Sequence, residues 1–488
     1  MVLSWDIPVF CTIGLILGIV LGVLPGISGL NGLAFMIAPT FLLEPLQGLC
    51  VLTGIFTGSL VGGGFTAVLL NIPGDPVALM TCLDGYPLTK QGRQNEALGI
   101  VLMASVLGCF VGWIFILFLL VPIGRFVLRF GPSEMLALFG CALTIVGAIG
   151  GNIWKAILMG LFGLLLATIG ATPYGRPRGI SDMWILYEGI PLEPLLIGLL
   201  AVSELPILIK EEFVMGKFEK AQQGFRSILQ GFALTLREKR TLLRSILIGL
   251  GIGILPAAGS IIATTVSYGQ ARRASKHPER FGHGEVAGVV AAESADNASE
   301  PGSMATMMCL GIPGGAATAI IIAAFMYHGM SPGPYLIRDH LDFAYAIILA
   351  NFLQAFLMLG LGILFCYYTG WIVFVPTRVL VPIIVLITFG GILALRGHLI
   401  DLWISVIFGA IGYLLRRYDY PILALILGFI LGGRVEEQFV RTKLLFANEY
   451  HSLLYRPIFM VLVLGLVGSF VLPPIIRYLK RRRRTEKV

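Results

Sequence analysis

A chain of 488 residues in which 57% of the side chains are hydrophobic and 13% charged is too apolar for a soluble domain, whose charged fraction is about a quarter. Its mean hydropathy of +0.89 and its length, at about 20 residues per crossing, predict an all-α polytopic membrane protein with roughly a dozen transmembrane helices. The net charge of +8 does not point to nucleic acid, because the basic residues gather at the ends of apolar runs, where membrane topology already accounts for them.

In chain order, the first apolar run, Ile7 to Leu24, follows a segment with Asp6 and no basic residue, so it is expected to be an uncleaved first helix. Further runs lie at Leu49 to Leu70, Ala97 to Val121, Met135 to Gly150, Ile153 to Ile169 and Leu192 to Ile209. A polar interval, Glu204 to Arg244, mixes Lys and Arg with Glu. After it come runs at Ser245 to Ile262, Ala305 to Phe325, Phe343 to Cys366, Ile372 to Leu395, Leu399 to Leu415, Ile422 to Leu431 and Ile458 to Val471. The chain closes on the basic cluster Arg477 and Lys480 to Arg484. Both this tail and the polar interval are expected on the cytoplasmic side, since basic residues near span ends resist translocation.

The two halves share their punctuation. Gly22-Val23-Leu24-Pro25-Gly26-Ile27-Ser28-Gly29 and Gly253-Ile254-Leu255-Pro256-Ala257-Ala258-Gly259-Ser260 interrupt one apolar run each, and Asn71-Ile72-Pro73-Gly74-Asp75 and Gly311-Ile312-Pro313-Gly314-Gly315 interrupt another. Two related repeats follow, 1–203 and 245–476, joined by the polar connection 204–244 and ended by the basic tail 477–488. Broken backbone in a bilayer is tolerated only where protein or a water-filled cavity satisfies it, so half-helices or re-entrant hairpins are expected between Pro25 and Leu49 and between Ile262 and Ala305. Paired interruptions at matching places are the sequence sign of a transporter's binding site.

Pro25, Gly26, Pro73, Gly74, Pro256, Pro313 and Gly314 are the expected backbone hinges. Ser28 and Ser260 stand where they would cap the next half-helix, whose free N–H groups favour an anion. With Thr66, Asn71, Asn297, Ser303 and Thr306 they form the candidate substrate-binding set, supplying neutral polar contacts. Gly62, Gly63 and Gly64 are expected to pack helices closely. Asp75, Glu293 and Asp296 are candidates for cation coupling, because an intramembrane carboxylate suggests a cation or proton pathway. The plainer alternatives are a surface turn for Asp84 and helix caps near water for Glu293 and Asp296.

The seven cysteines lack any C-x-x-C spacing and read as small apolar packers, and the six histidines lack ligand spacing, so no metal and no cofactor are expected. An enzyme is disfavoured because no nucleophile and base are paired in the sequence. An ion channel remains the alternative, although two copies in one chain suit alternating access better than a multi-fold filter.

These modules, with Asp84-Gly85-Tyr86-Pro87-Leu88, Ser267-Tyr268-Gly269, Glu293-Ser294-Ala295-Asp296-Asn297-Ala298, Leu310-Gly311-Ile312-Pro313-Gly314 and Pro332-Gly333-Pro334, resemble the large membrane subunit of the tripartite tricarboxylate transporter family. The likeness spans most of the chain and is strongest from Gly253 to Pro334. It implies a cell inner membrane subunit working with a small membrane subunit and an extracytoplasmic solute-binding protein, importing a small carboxylate on a sodium or proton gradient. The chain departs from that family's pattern at Asp296, where a second asparagine is usual, at Ser299 and Glu300, where alanines are usual, near Gly64, and at Thr172-Pro173.

Overall fold

The computed structural model describes residues 5–23, 29–71, 75–127, 129–149, 153–171, 177–178, 186–187, 189–203, 205–208, 224–255, 259–372, 382, 385–386, 389–390, 392–393, 398–446 and 450–466. Helices dominate them: α1 (Asp6–Val23), α2 (Gly29–Thr40), α3 (Pro45–Leu70), α4 (Leu79–Lys90), α5 (Gln94–Val127), α6 (Pro132–Ile149), α7 (Ile153–Ala167), α8 (Leu192–Ile197) and α9 (Leu205–Leu208). After these come α10 (Phe225–Arg237), α11 (Lys239–Ile254), α12 (Gly259–Ala274), α13 (Val286–Leu310), α14 (Ala316–Tyr327), α15 (Pro334–Asp339), α16 (Leu341–Ile372), α17 (Leu399–Arg417) and α18 (Ile422–Leu445). The one regular ladder among the described residues is a short antiparallel pair, Gly170–Ala171 with Pro177–Arg178. An all-α membrane protein is what the composition predicts.

Among the described residues five helices are long and apolar enough to cross a membrane: Asp6–Val23, Pro45–Leu69, Gln94–Phe126, Leu341–Tyr368 and Leu399–Arg417. Shorter apolar helices lie at Trp154–Ala167, Ala316–Tyr327 and Pro457–Leu466. The 12-residue α2 and α14 rise only about 18 Å each, well short of a hydrocarbon core of about 30 Å.

Leu24-Pro25 and Pro256 lie outside the described residues, with described helix on either side of each. α1 ends at Val23 and α2 starts at Gly29; α11 ends at Ile254 and α12 starts at Gly259. The apolar run from Ala305 to Phe325 is likewise divided, by the turn between α13 and α14. Within the polar interval 204–244, Phe225 to Arg237 form α10 and Lys239 begins α11. Between Ile262 and Ala305 the chain ends α12 at Ala274 and starts α13 at Val286, which runs as one 25-residue helix through Pro301.

Contacts group the described chain into two units, one of residues 1–124 and 193–413 and one of residues 125–192 and 414–488. In the second, α18 packs along α7 at glycines: an added Cβ at Gly163 or Gly428 would run into the backbone of Leu425 or Gly160. Arg178 pairs with Glu436 at 2.8 Å, and Arg456 with the buried Glu134 at 2.9 Å.

In the first unit, α1 lies backbone to backbone on α3. Gly14 and Gly18 of α1 face Val51 and Ile55, while Gly54, Gly58 and Gly62 of α3 face Gly14, Leu15 and Ile19. A Cβ at Gly18 would sit 2.5 Å from the Ile55 carbonyl oxygen. The pair α11 and α13 meets in the same way. A Cβ at Gly302 would sit 2.7 Å from the Leu250 oxygen, and one at Gly249 or Gly253 would fall on the Ala295 or Ser299 backbone. Small residues four apart let membrane helices approach until dispersion contacts between their backbones hold them together.

Candidate functional site

The helix breaks are held by hydroxyls. Thr66 of α3 donates to the carbonyl of Val23, the last residue of α1, at 2.9 Å. Thr306 of α13 donates to the carbonyl of Ile254, the last residue of α11, at 2.6 Å. Each hydroxyl thereby satisfies a carbonyl that the end of a helix leaves without an intrahelical partner. The single hydrogen of each threonine is committed to the backbone, so these two residues position the breaks. Ser303 reaches the Gly253 carbonyl at 3.4 Å.

The residues that precede the two Ile-Pro-Gly elements are alike in backbone. Asn71 caps α3 in the left-handed region at φ 58°, and Gly311 caps α13 at φ 70°. Asparagine and glycine are the residues that take this conformation at least cost, so a backbone requirement accounts for Asn71, whose residue is exposed. Pro313 and Gly314 form the turn before α14, and Gly314 lies so close that a Cβ there would stand 2.5 Å from the Ser303 Cα. Pro25, Gly26, Ser28, Pro73, Gly74 and Pro256 lie outside the described residues.

Asp75 joins two of these elements, since its carboxylate accepts the backbone N–H of Gly29 at the start of α2 and, at 3.4 Å, that of Val77. Ser260 stands in the first turn of α12, and its hydroxyl meets that of Ser299 on α13 at 2.7 Å while also bonding Asp296. It therefore links helices instead of serving as a cap.

Glu293, Asp296 and Glu300 occupy one face of α13, three and four residues apart, and all are buried. They are not helix caps near water, the plainer reading of the sequence. The reason is the composition of α13, whose alanine, serine and glycine side chains are small enough for protein to pack against the helix on every side. Glu293 accepts Thr81 of α4 at 2.5 Å and Ser105 of α5 at 3.0 Å. Gly64 of α3 makes room for it, as a Cβ there would stand 2.6 Å from its Oε1. Glu300 meets Thr57 of α3 at 2.5 Å. The Asn297 amide donates to the Glu293 carbonyl at 3.3 Å. Asp296 Oδ1, Asn297 Oδ1 and Glu300 Oε2 are buried without a hydrogen-bond partner. Among the described residues, no lysine, arginine or histidine pairs with any of the three acids, and no group of three or more His, Cys, Asp or Glu is disposed to hold a metal ion.

Thr57, Thr81 and Ser105 were not singled out in the sequence. Their only signal is a hydroxyl within an apolar run, and what each touches comes from a helix far along the chain. Asp84 differs in kind from the other acids: it lies inside α4, buried, and is fully engaged, so the surface turn suggested by its sequence is not what forms.

An apolar helical chain that buries carboxylates among its helices fits a transporter. The profile described as the Tripartite tricarboxylate transporter TctA family matches residues 9–427, and the chain belongs to that family. A protein of Agrobacterium vitis described as an uncharacterized 52.8 kDa protein in the TAR-I ttuC' 3' region is 30% identical over 456 residues, covering 92% of this chain and 89% of the relative. A second, described as an uncharacterized protein in the TAR-II ttuC' 3' region of the same organism, is 31% identical over 217 residues, 44% of this chain and 90% of the relative. No solved structure gives a significant match.

Proposed function

We propose that this chain is the translocation subunit of a binding-protein-dependent secondary transporter of the cell inner membrane, importing a small carboxylate on a cation gradient. In this reading it works with a small membrane subunit and an extracytoplasmic solute-binding protein, as membership of the TctA family implies. One observation carries the proposal. Each half has a helix break pinned by a threonine to the last carbonyl of the preceding helix, Thr66 to Val23 and Thr306 to Ile254, beside a turn that starts from a left-handed cap, Asn71 or Gly311. Matched breaks of this kind support two related repeats, 1–203 and 245–476, and a shared central cavity.

The half-helix start at Gly259 presents N–H groups to the substrate anion, with Ser28, Asn71, Ser260, Asn297 and Ser303 as its neutral contacts, while the N–H of Gly29 is held by Asp75. Thr66 and Thr306 keep the cavity in shape. Asp75, Glu293 and Asp296 are the candidates for coupling to the cation that travels with the anion. The connection 204–244 and the tail 477–488 face the cytoplasm.

The test is uptake of a panel of labelled di- and tricarboxylates into vesicles holding both membrane subunits, with and without the binding protein. Saturable uptake that requires the binding protein and an imposed ion gradient is expected. Ion conductance without any gradient-driven uptake would instead select the channel.

A further inference from the structure

The buried carboxyl of Glu300 meets a hydroxyl that can serve it in either protonation state. Thr57 Oγ1 carries one hydrogen yet lies within bonding distance of two oxygens, the Thr53 carbonyl at 3.0 Å and Glu300 Oε1 at 2.5 Å. When that hydrogen goes to the carbonyl one turn back, the short contact to Glu300 is completed by a hydrogen on the glutamic acid itself. When Glu300 is ionised, the threonine turns its hydrogen toward it. One pair of residues thus serves both protonation states without moving the backbone. The remaining oxygen, Oε2, is buried and unpartnered, and an isolated carboxylate in such a place is neutralised or paired, never left bare.

Among the described residues no group of three or more acids, histidines or cysteines is disposed to hold a metal ion, and Glu293 and Glu300 are too far apart to share one. Glu300 and Glu293 stand seven residues apart, roughly 10 Å along the helix axis, and each is bonded to its own hydroxyl partners. Of the elements packed against this stretch, α3 presents Thr57, α5 presents the Cys109 thiol, α11 presents Gly253 and α12 presents Ser260. The titratable groups that face Glu300 are therefore Cys109 and Asp296, and Asp296 in turn faces Glu293 and Asp75. Among the described residues, no lysine, arginine or histidine pairs with them.

We propose that Glu300, switched by Thr57, is a proton-binding site of this transporter and that its coupling ion is a proton. This rests on the transporter reading above. In each cycle Glu300 takes one proton from extracytoplasmic water while the cavity holds the substrate anion, and gives that proton to the cytoplasm after the anion leaves. Charge and atoms balance, because the proton that enters is the one released.

Proteoliposomes holding both membrane subunits and a trapped pH dye, with the binding protein outside, test it using whichever labelled di- or tricarboxylate the wild type takes up fastest. The expected result is uptake driven by an inward proton gradient without sodium, accompanied by internal acidification. Glu300→Gln should lower gradient-driven uptake at least about tenfold, abolish acidification and leave substrate counterflow within about twofold, with Glu300→Asp restoring part of the coupling. Uptake that needs sodium and carries no protons, or full acidification with Glu300→Gln, would overturn the proposal while leaving the transporter reading intact. If Glu300→Gln fails to reach the membrane, the wild-type dye signal decides alone. No uptake of any carboxylate under either gradient would sink both.

Discussion

The Asp84 carboxylate of α4 and the Tyr268 hydroxyl of α12, from opposite halves of the sequence, are hydrogen-bonded at 2.8 Å, with both residues buried. The other carboxylate oxygen of Asp84 accepts the backbone N–H groups of Gly282, Gly284 and Glu285 at 2.8, 3.0 and 2.9 Å. Asp84 thereby fixes the link between α12 and α13, and with it the start of the helix that carries the buried acids.

Asp84→Ala is expected to leave these donors without their acceptor, at about 1–3 kcal/mol for each that water cannot reach. The folded fraction in detergent, followed by size-exclusion chromatography on heating, should fall sharply. Tyr268→Phe removes one bond and should cost a fraction of that. Equal thermal profiles for Asp84→Ala and the wild type would refute this anchoring role.

The glycine contacts between α1 and α3 predict a second outcome. Gly18→Val must push the helices apart, because even its Cβ would meet the Ile55 backbone at 2.5 and 2.8 Å. Overpacking of this kind costs about 1–3 kcal/mol or more, and membrane abundance should drop. Gly251→Ala, where an added Cβ has nothing within 4 Å, should leave abundance unchanged. Matching levels for the two variants would contradict the close packing.

At Asn71 the backbone and the side chain make separable demands. If left-handed geometry is what matters, Asn71→Gly should retain uptake and Asn71→Ala should lose about 1 kcal/mol of stability. Substrate contact by the amide predicts instead that both lose uptake at normal abundance. Comparing uptake per folded molecule for the two variants distinguishes the roles.

Thr66 and Thr306 should respond in parallel. Conversion of either to valine strips a helix-end carbonyl of its donor and should reduce uptake several-fold, while conversion to serine keeps the hydroxyl and should retain most of it. Uptake assays at matched abundance check this. A strong effect at one threonine and none at the other would argue against matched breaks.

Much of this was legible in the sequence because proline and glycine act locally. Pro256 cannot donate within a helix, and α11 ends ahead of it at Ile254. The left-handed caps at Asn71 and Gly311 are not read from the sequence, which offers Asn71 for its amide alone. Whether Glu293 and Asp296 are buried or cap a helix near water is left open by the sequence, since hydropathy cannot distinguish a small-residue helix enclosed by protein from one facing water. The partners of Glu300 and Asp84 were hidden for a simpler reason: Thr57 and Tyr268 lie far away in sequence, and only the packing of α3 and α12 around α13 brings them in.

In the proposed transporter the substrate sits among the paired breaks beside α13. A single-particle structure of the three-subunit assembly with bound carboxylate tests this most directly. Ligand density is expected within contact of Ser260, Asn297 and Ser303, between the breaks that follow Val23 and Ile254. Density confined to a surface groove, or to a position remote from both breaks, would contradict it.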